Sequence, residues 1–282
     1  MRRDRSRPRN KGRNILFWNT MGQRNVRLLA ELIQVNKVAI AIFSESEFNT
    51  RLLASTLSNR GYKFFRSKSP VPKSGIEIFS VYPGNIVTPV SDERHFTARN
   101  INIPGHQELL IIAAHLHSKL YKNNQDQEQL TRAFSEQIRN LELAQSTKRT
   151  VIIGDMNMNP FEDALCASDG LNGVRNKSIA KLVRRKYQGK YYEYFYNPSW
   201  RLLQNDGTYY YEANHITEHR WNVFDQILIR PDLIDEFDDK ELKILTTIGS
   251  HSLTKTNGKP DKNTYSDHLP LIATLRIRKI HD

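Results

Sequence analysis

Val151-Ile152-Ile153-Gly154 runs into Asp155-Met156-Asn157-Met158-Asn159-Pro160, a short apolar stretch that stops at a carboxylate and, two positions later, an amide. Extended backbone alternates with period 2, so Asp155 and Asn157 share a side for as long as a strand persists. A carboxylate beside an amide can hold a divalent metal, a water or a phosphate oxygen. Gly-Asp followed by Asn and Pro is equally good turn chemistry, so the decapeptide alone leaves site and turn both open.

The pattern recurs along the chain. Ile15-Leu16-Phe17-Trp18 ends at Asn19, Val38 to Phe43 ends near Glu45, and Leu109 to Ala114 stops at His115-Leu116-His117. Asp225 lies inside Val223 to Ile229, and Ser266-Asp267-His268-Leu269-Pro270 precedes Leu271 to Leu275. Near-continuous apolar runs of this length predict strands buried on both faces. One polar group at the end of such a strand is a cap or a turn. Asn19, Glu45, His115, Asp155 with Asn157, Asp225, and Asp267 with His268 together predict one oxygen-rich metal site with two histidines.

The order Trp-Asn, buried strand then Glu, His-Leu, Gly-Asp-x-Asn, Asp-x-Ile-Leu, Ser-Asp-His resembles the endonuclease/exonuclease/phosphatase superfamily from Asn14 to about Arg276. Gly-Asp-x-Asn and Ser-Asp-His in this order carry most of the resemblance; Trp-Asn or His-Leu alone carries little. The resemblance implies an α/β (α+β) four-layer sandwich of two mixed β-sheets packed face to face and flanked by helices. It also implies a catalytic Mg²⁺ or Mn²⁺ held by Glu45, with Asn19 beside it and Asp267 contributing. Asp155 and Asn157 would orient the attacking water and the phosphate. His268, paired with Asp225 in the contact that fixes a tautomer and favours the charged ring, would act as base or as electrostatic stabiliser. His115 would touch the phosphate or protonate the leaving oxygen.

Several residues depart from the family pattern or leave two readings. A histidine stands at 115 where abasic-site endonucleases tend to carry tyrosine. The Asp and Gln that often precede the metal-ligating Glu are Ala39 and Ser44 here, which keeps Glu47 as a substitute for Glu45. Glu77 sits in Ser74 to Ser80 where an apolar residue is usual, either as a partner for His115 or facing solvent. Arg99, on the strand before His115, resembles the arginine that offers a planar fork to a phosphate, and a surface salt bridge explains it equally well.

Charge narrows the partner class without fixing it. The chain carries 42 Lys and Arg against 30 Asp and Glu, a net charge of +12, and residues 1–13 hold seven of those cations and one Asp. An arm this polar cannot join a core. It is either a solvated tail or a segment that lies along phosphates. Between Arg175 and Arg201, eight Arg and Lys face Glu193 alone and are interleaved with aromatics that include Tyr191 and Trp200. Such residues suit substrate binding by base stacking on DNA or RNA. The structural alternative is an amphipathic helix from about Ser178 to Arg185 followed by aromatic strands packed on the body. Basic chains also adhere to anionic lipids, so charge by itself does not choose between the two partners.

The remaining organisation is simple. No linker divides residues 14–282, so one catalytic domain is expected, with a basic aromatic insert at about 175–211. The lone Cys166 excludes a multi-cysteine zinc site and reads as a small buried residue. A charged N-terminus without an apolar segment behind it, and no apolar run near the ~20 residues of a membrane span, predict a cytoplasmic protein without stable membrane insertion. Helical periodicity falls at 26–33 and 124–145, and strands at about 14–18, 38–43, 62–65, 75–80, 98–103, 109–114, 150–153, 223–229, 241–246 and 270–276. No phosphate-binding Gly-Lys-Ser/Thr loop or dinucleotide Gly-x-Gly-x-x-Gly turn is present. The expected function is a metal-dependent nuclease. The alternatives are a phosphoesterase on a small or lipid substrate, for which no docking loop stands out in the sequence, and a decayed binding module, against which the intact acidic and histidine set stands.

Overall fold

The computed structural model describes residues 12–118, 124–204, 206–212 and 219–280. The basic arm up to Lys11 therefore lies outside the described residues. Arg13, counted with that arm by charge, opens the first strand and pairs with Leu275.

The strands in chain order are β1 (Arg13–Asn19), β2 (Val38–Ser44), β3 (Phe65–Arg66), β4 (Glu77–Ser80), β5 (Val87–Glu93), β6 (Phe96–Ile101), β7 (Leu109–His115) and β8 (Thr150–Asp155). They continue with β9 (Gly173–Val174), β10 (Arg184–Tyr187), β11 (Lys190–Glu193), β12 (Phe195–Tyr196), β13 (Tyr209–Tyr210), β14 (Trp221–Asn222) and β15 (Asp225–Ile229). The last are β16 (Lys243–Ile244), β17 (Thr247–Ile248), β18 (His251–Ser252) and β19 (Leu271–Leu275). Two large mixed sheets result, ordered β16-β19-β1-β2-β4-β3 and β5-β6-β7-β8-β15-β12-β9.

Side-chain parity builds the layers. Ile15 and Phe17 of β1, Ile40 and Ile42 of β2, Ile111 of β7, Ile153 of β8 and Ile227 of β15 meet in the core between the sheets. The alternate residues face outward. Leu16, Trp18, Ala41 and Phe43 lie under helices α1 (Val26–Val35) and α2 (Thr50–Asn59). Leu110, Ile112 and Ile152 lie under Phe134 and Ile138 of helix α3 (Asn124–Ala144). Both faces of each central strand are thus buried, which is why the sequence reads as unbroken apolar runs. The two sheets with their flanking helices form the expected sandwich.

Side-chain caps set where α1 and α2 begin: Asn25 Oδ1 accepts from the amides of Arg27 and Leu28, and Asn49 Oδ1 from those of Arg51 and Leu52. The C-terminal end of α3 is pinned by a buried two-pronged ion pair, Glu142 Oε1 and Oε2 to Arg230 Nε and Nη2 at 2.7 and 2.9 Å, with the guanidinium over the Phe195 ring.

The basic insert differs from the helix expected over 178–185. Its helix, α5, covers only Lys177–Ala180, after an equally short α4 at Asp163–Cys166. β10 and β11 then form a hairpin in which Tyr187 pairs with Lys190. Gln188 and Gly189 both have positive φ, 47° and 79°, the two-residue turn whose twist matches a right-handed ribbon. Val183, with a β-branched side chain at φ 68°, breaks the helical path before the hairpin. No helix among the described residues is long and apolar enough to cross a membrane.

Candidate active site

Strand direction and register bring the polar ends together. β1 and β2 are parallel, so Asn19 lies beside Ser44 and Glu45 follows at once. β7 and β8 are parallel with His115 beside Asp155, and β15 runs antiparallel to β8 with Asp225 beside Asp155. His115, Asp155 and Asp225 therefore form a row across one sheet. Because β19 is antiparallel to β1, the segment before it returns to the same end: Ser266 Oγ donates to Asn19 O at 2.7 Å and Trp18 Nε1 donates to His268 O at 2.9 Å. Gly154 is required by the close β7–β8 approach, since a Cβ there would lie 1.9 Å from Ala114 O.

One carboxylate oxygen is the hub. Asp155 Oδ2 accepts from Asn19 Nδ2 at 3.1 Å and lies 3.8 Å from His115 Nε2 and 3.7 Å from His268 Nε2. Glu45 Oε1 accepts from the same Asn19 Nδ2 at 3.0 Å and faces His115 Nε2 at 3.3 Å. Asp155 itself is 1% exposed, whereas the Glu45 side chain remains open to solvent. Glu45 and Asn157 both hold left-handed backbone, φ 47° and 52°, uncommon for residues with a side chain and concentrated at functional sites.

Behind the hub, His268 Nδ1 contacts Asp225 Oδ2 at 2.8 Å. Burial alone would lower the pKa of His268, but the carboxylates of Asp225, Asp155 and Asp267 outweigh it and lift it to about 10. Burial also raises Asp225, against the pull of His268. The two act as one coupled imidazole–carboxylate pair, in which the several carboxylates around the ring favour its charged form. Asp225 Oδ1 is buried without a hydrogen-bond partner. Asp267 is pushed up first by burial and further by Glu45 and Asp155, with His268 opposing, so these acidic groups share one region.

The donor set fits a hard divalent cation. Glu45, Asp155 and Asp267 offer carboxylate oxygens whose mutual repulsion a cation would relieve, and soft thiolates are absent from the cluster. Oxygens of Asp155 and Asp225 and a ring nitrogen of His268 also lie within 4.8 Å of one another. The short Asp225–His268 contact makes that trio a better imidazole–carboxylate pair than a ligand set.

No family model and no curated protein sequence matches the chain. Solved structures do. An AP endonuclease from Archaeoglobus fulgidus superposes with TM-score 0.53 at 17% identity, covering 93% of this chain and 99% of the other. The 3'-5' exonuclease NExo from Neisseria meningitidis gives 0.54 at 16% identity, with the same coverage of 93% and 99%. TDP2 from D. rerio, complexed with single strand DNA product, gives 0.51 at 15% identity, covering 94% and 98%. The chain has the endonuclease/exonuclease/phosphatase fold.

Within that fold, Asn19, Glu45, His115, Asp155, Asp225, Asp267 and His268, named from sequence, converge. Asn19 enters differently from a ligand: its nitrogen faces the two carboxylates, while Oδ1 accepts from the Met21 amide at 3.2 Å. Asn157 is not on a continuing strand. β8 stops at Asp155, the Asn157 amide donates to Asp155 Oδ1 at 2.8 Å, and its Nδ2 donates to Leu116 O at 2.9 Å. The decapeptide therefore ends its strand in a turn, and that turn orients Asp155.

Other candidates lie elsewhere. Arg99 is 1% exposed between the sheets, with its donors on Ser67, Thr97 and the Ala98 carbonyl and Asp92 at 3.9 Å, so it braces the core and has no free fork for phosphate. Glu77 pairs with Arg66 at 2.6 Å and not with His115, and Glu47 pairs with Arg24. The His117 ring packs against His95, with centroids 3.7 Å apart and planes tilted by 48°. Tyr191 is exposed on the β10–β11 hairpin, whose base at Glu193 lies near Arg230. Arg230 is one residue beyond the far end of β15, roughly 17 Å along the strand from Asp225 at ~3.4 Å per residue. Trp200 packs on Phe161 beneath Arg175 and is largely covered. Sequence reasoning missed Tyr209, whose ring lies 4.6 Å from His268 and whose pKa is pushed up to about 12 by burial, Asp267 and Asp155. The triple tyrosine at 209–211 was its only trace.

Proposed function

We propose that the chain is a divalent-metal-dependent phosphodiesterase that hydrolyses nucleic acid. The observation that carries this reading is Asp155 Oδ2, which two histidines and Asn19 surround while Glu45 and Asp267 complete an acidic opening to solvent. Nucleic-acid enzymes of the same fold, including one solved with single strand DNA product, support the substrate class, as does a net charge of +12.

Glu45 and Asp267 would hold Mg²⁺ or Mn²⁺, and Asn19 would brace Glu45 against Asp155. When bound, the ion neutralises the phosphodiester and polarises its oxygens. Asp155, fixed through Oδ1 by the Asn157 amide, directs Oδ2 at an attacking water. His268 Nδ1 is held by Asp225, which leaves Nε2 facing the reaction centre as a donor to phosphoryl oxygen. His115, half open and beside Glu45, is placed to donate to a second phosphate oxygen or the leaving group.

One observation favours a lipid phosphoester as the second reading: Ile179, Leu182 and Val183 are 40%, 65% and 46% exposed beside the basic hairpin. The sequence alone does not make this knuckle visible as a docking loop. Labelled single- and double-stranded DNA, RNA, a phosphoinositide and sphingomyelin, each with Mg²⁺, Mn²⁺ or chelator, separate the readings. Metal-dependent cleavage confined to the nucleic acids is the expected result; cleavage of a lipid alone would replace it with the second reading.

A further inference from the structure

A cavity of about 340 Å³ lies between Tyr209–Glu212 and the loop from Leu253 to Tyr265, and Asp267 forms part of its wall. Apart from Asp267, none of its lining residues has a role assigned above. One wall is aromatic. The rings of Tyr209 and Tyr211 are nearly parallel, 13° apart with centroids 6.4 Å apart. Tyr209 also packs against Phe224 at 5.2 Å and His268 at 4.6 Å, so an aromatic column leads from the site's imidazole out to Tyr211.

The facing wall is cationic. Lys255, Lys259 and Lys262 all come from one short loop, which is braced by Lys255 N to Lys259 O and Gly258 N to Lys255 O, both 2.9 Å, and by the Thr254–Pro260 bridge. Lys259 is engaged, with its ammonium 4.3 Å over the Tyr210 ring and 3.3 Å from Glu212 Oε1. Lys255 and Lys262 are exposed at the cavity.

We propose that this cavity binds the nucleotide next to the scissile phosphate, with its base on Tyr211 and its flanking phosphate on Lys255 and Lys262. The proposal rests on the nuclease reading and adds the form of substrate that reading takes. Aromatic faces accept any base, and lysines act on phosphates as point charges without reading sequence. A cavity near the lower limit of small-molecule sites, ~300 Å³, admits one unstacked nucleotide and not a duplex. The strand on this side of the cut is therefore single or frayed. Three ammonium groups and tyrosine hydroxyls also make a poor lining for an acyl chain.

The test compares two phosphodiesters. Bis(4-nitrophenyl) phosphate has no flanking nucleotide; a labelled oligodeoxythymidylate of about 12 residues spans the cavity. In the Lys255→Ala/Lys262→Ala double variant, KM for the oligomer should rise at least about tenfold, the scale of losing charged hydrogen bonds, with kcat nearly unchanged. The salt slope of oligomer affinity should flatten by about 0.7, the contribution of one phosphate contact on a single strand. Hydrolysis of bis(4-nitrophenyl) phosphate should stay at the parent level, and arginine at both positions should restore the oligomer KM. Tyr211→Ala should raise KM, and Tyr211→Phe should not. Unchanged KM and slope in the double variant overturn the proposal, as does an equal loss on both substrates, which would make the lysines props of the fold. If the parent hydrolyses neither diester nor any nucleic acid of the substrate panel, the nuclease reading fails and oligomer binding in chelator decides the cavity alone. Weaker binding with a flatter slope in the double variant keeps the nucleotide site; equal binding removes it.

Discussion

At Asp155 the surroundings divide the work of one side chain: Oδ1 is used by the Asn157 amide and Oδ2 is presented to Asn19, His115 and His268. Converting it to the amide keeps the shape but puts a donor where donors already point. Asp155→Asn should therefore lower kcat by at least about 10²-fold with little change in substrate affinity, and His268→Ala should do the same through loss of the ring that Asp225 orients. Single-turnover rates set against binding measured in chelator check both; turnover like the parent in either variant, with the fold intact, sinks the assignment. Glu45→Gln removes charge from the solvent-open carboxylate. It should weaken Mn²⁺ binding in titration calorimetry, whereas Glu47→Gln, whose carboxylate is held by Arg24 on the surface, should leave it unchanged.

Between elements, the junction of β6 with the loop after β3 is held by charge. Burial works to raise the pKa of Asp92, but the amides of Lys73 and Ser74 and the Thr97 hydroxyl overcome it and hold the carboxyl below its usual range. A carboxylate with a depressed folded-state pKa adds stability that is fully present above its unfolded value, near 3.8, and lost as pH falls through the folded one. Denaturant midpoints should accordingly drop on acidification below about pH 4, and Asp92→Asn should be less stable at neutral pH but show a shallower acid loss. Arg99→Met, at the same junction, should cost about 3 kcal/mol of stability, as when one partner of a buried ion pair is removed. KM should not move. A raised KM at full stability would return Arg99 to the phosphate.

The whole chain is cationic: part of the charge belongs to the sequence up to Lys11, and among the described residues it gathers on the β10–β11 hairpin and on the lysine loop by the cavity. Residues 1–11 carry six Arg and Lys against Asp4. If the arm lies along a nucleic-acid backbone, its removal should flatten log affinity against log salt by several units, at roughly 0.9 per duplex phosphate, and leave kcat at saturating substrate unchanged. Identical slopes for the full and shortened chains would make the arm a passenger. The hairpin root is anchored by Glu193 to Lys148 and Arg230, at the end of β15 away from Asp225. Contacts there would reach substrate well beyond the cut and govern affinity more than turnover.

The sequence by itself determined the central strands and the identity of most of the polar cluster. A strand buried on both faces must be apolar throughout, and a carboxylate or imidazole at its end then stands out against the run. Asn19, His115, Asp155, Asp225 and His268 were legible for that reason, and α3 was legible from its helical period. Residues whose environment is made by distant segments were not. Arg99 has the sequence setting of a surface cation, yet Ser67 and Asp92 draw it between the sheets. Tyr191 and Tyr209 lie in the same aromatic-rich insert, but only the fold separates an exposed hairpin from the ring packed on His268. The turn at Asn157, the shortening of α5 by Val183 and the pairing of Tyr209–Glu212 with the lysine loop were likewise decided by tertiary structure. Each depends on hydrogen bonds and packing between residues far apart in the chain, which local periodicity does not encode.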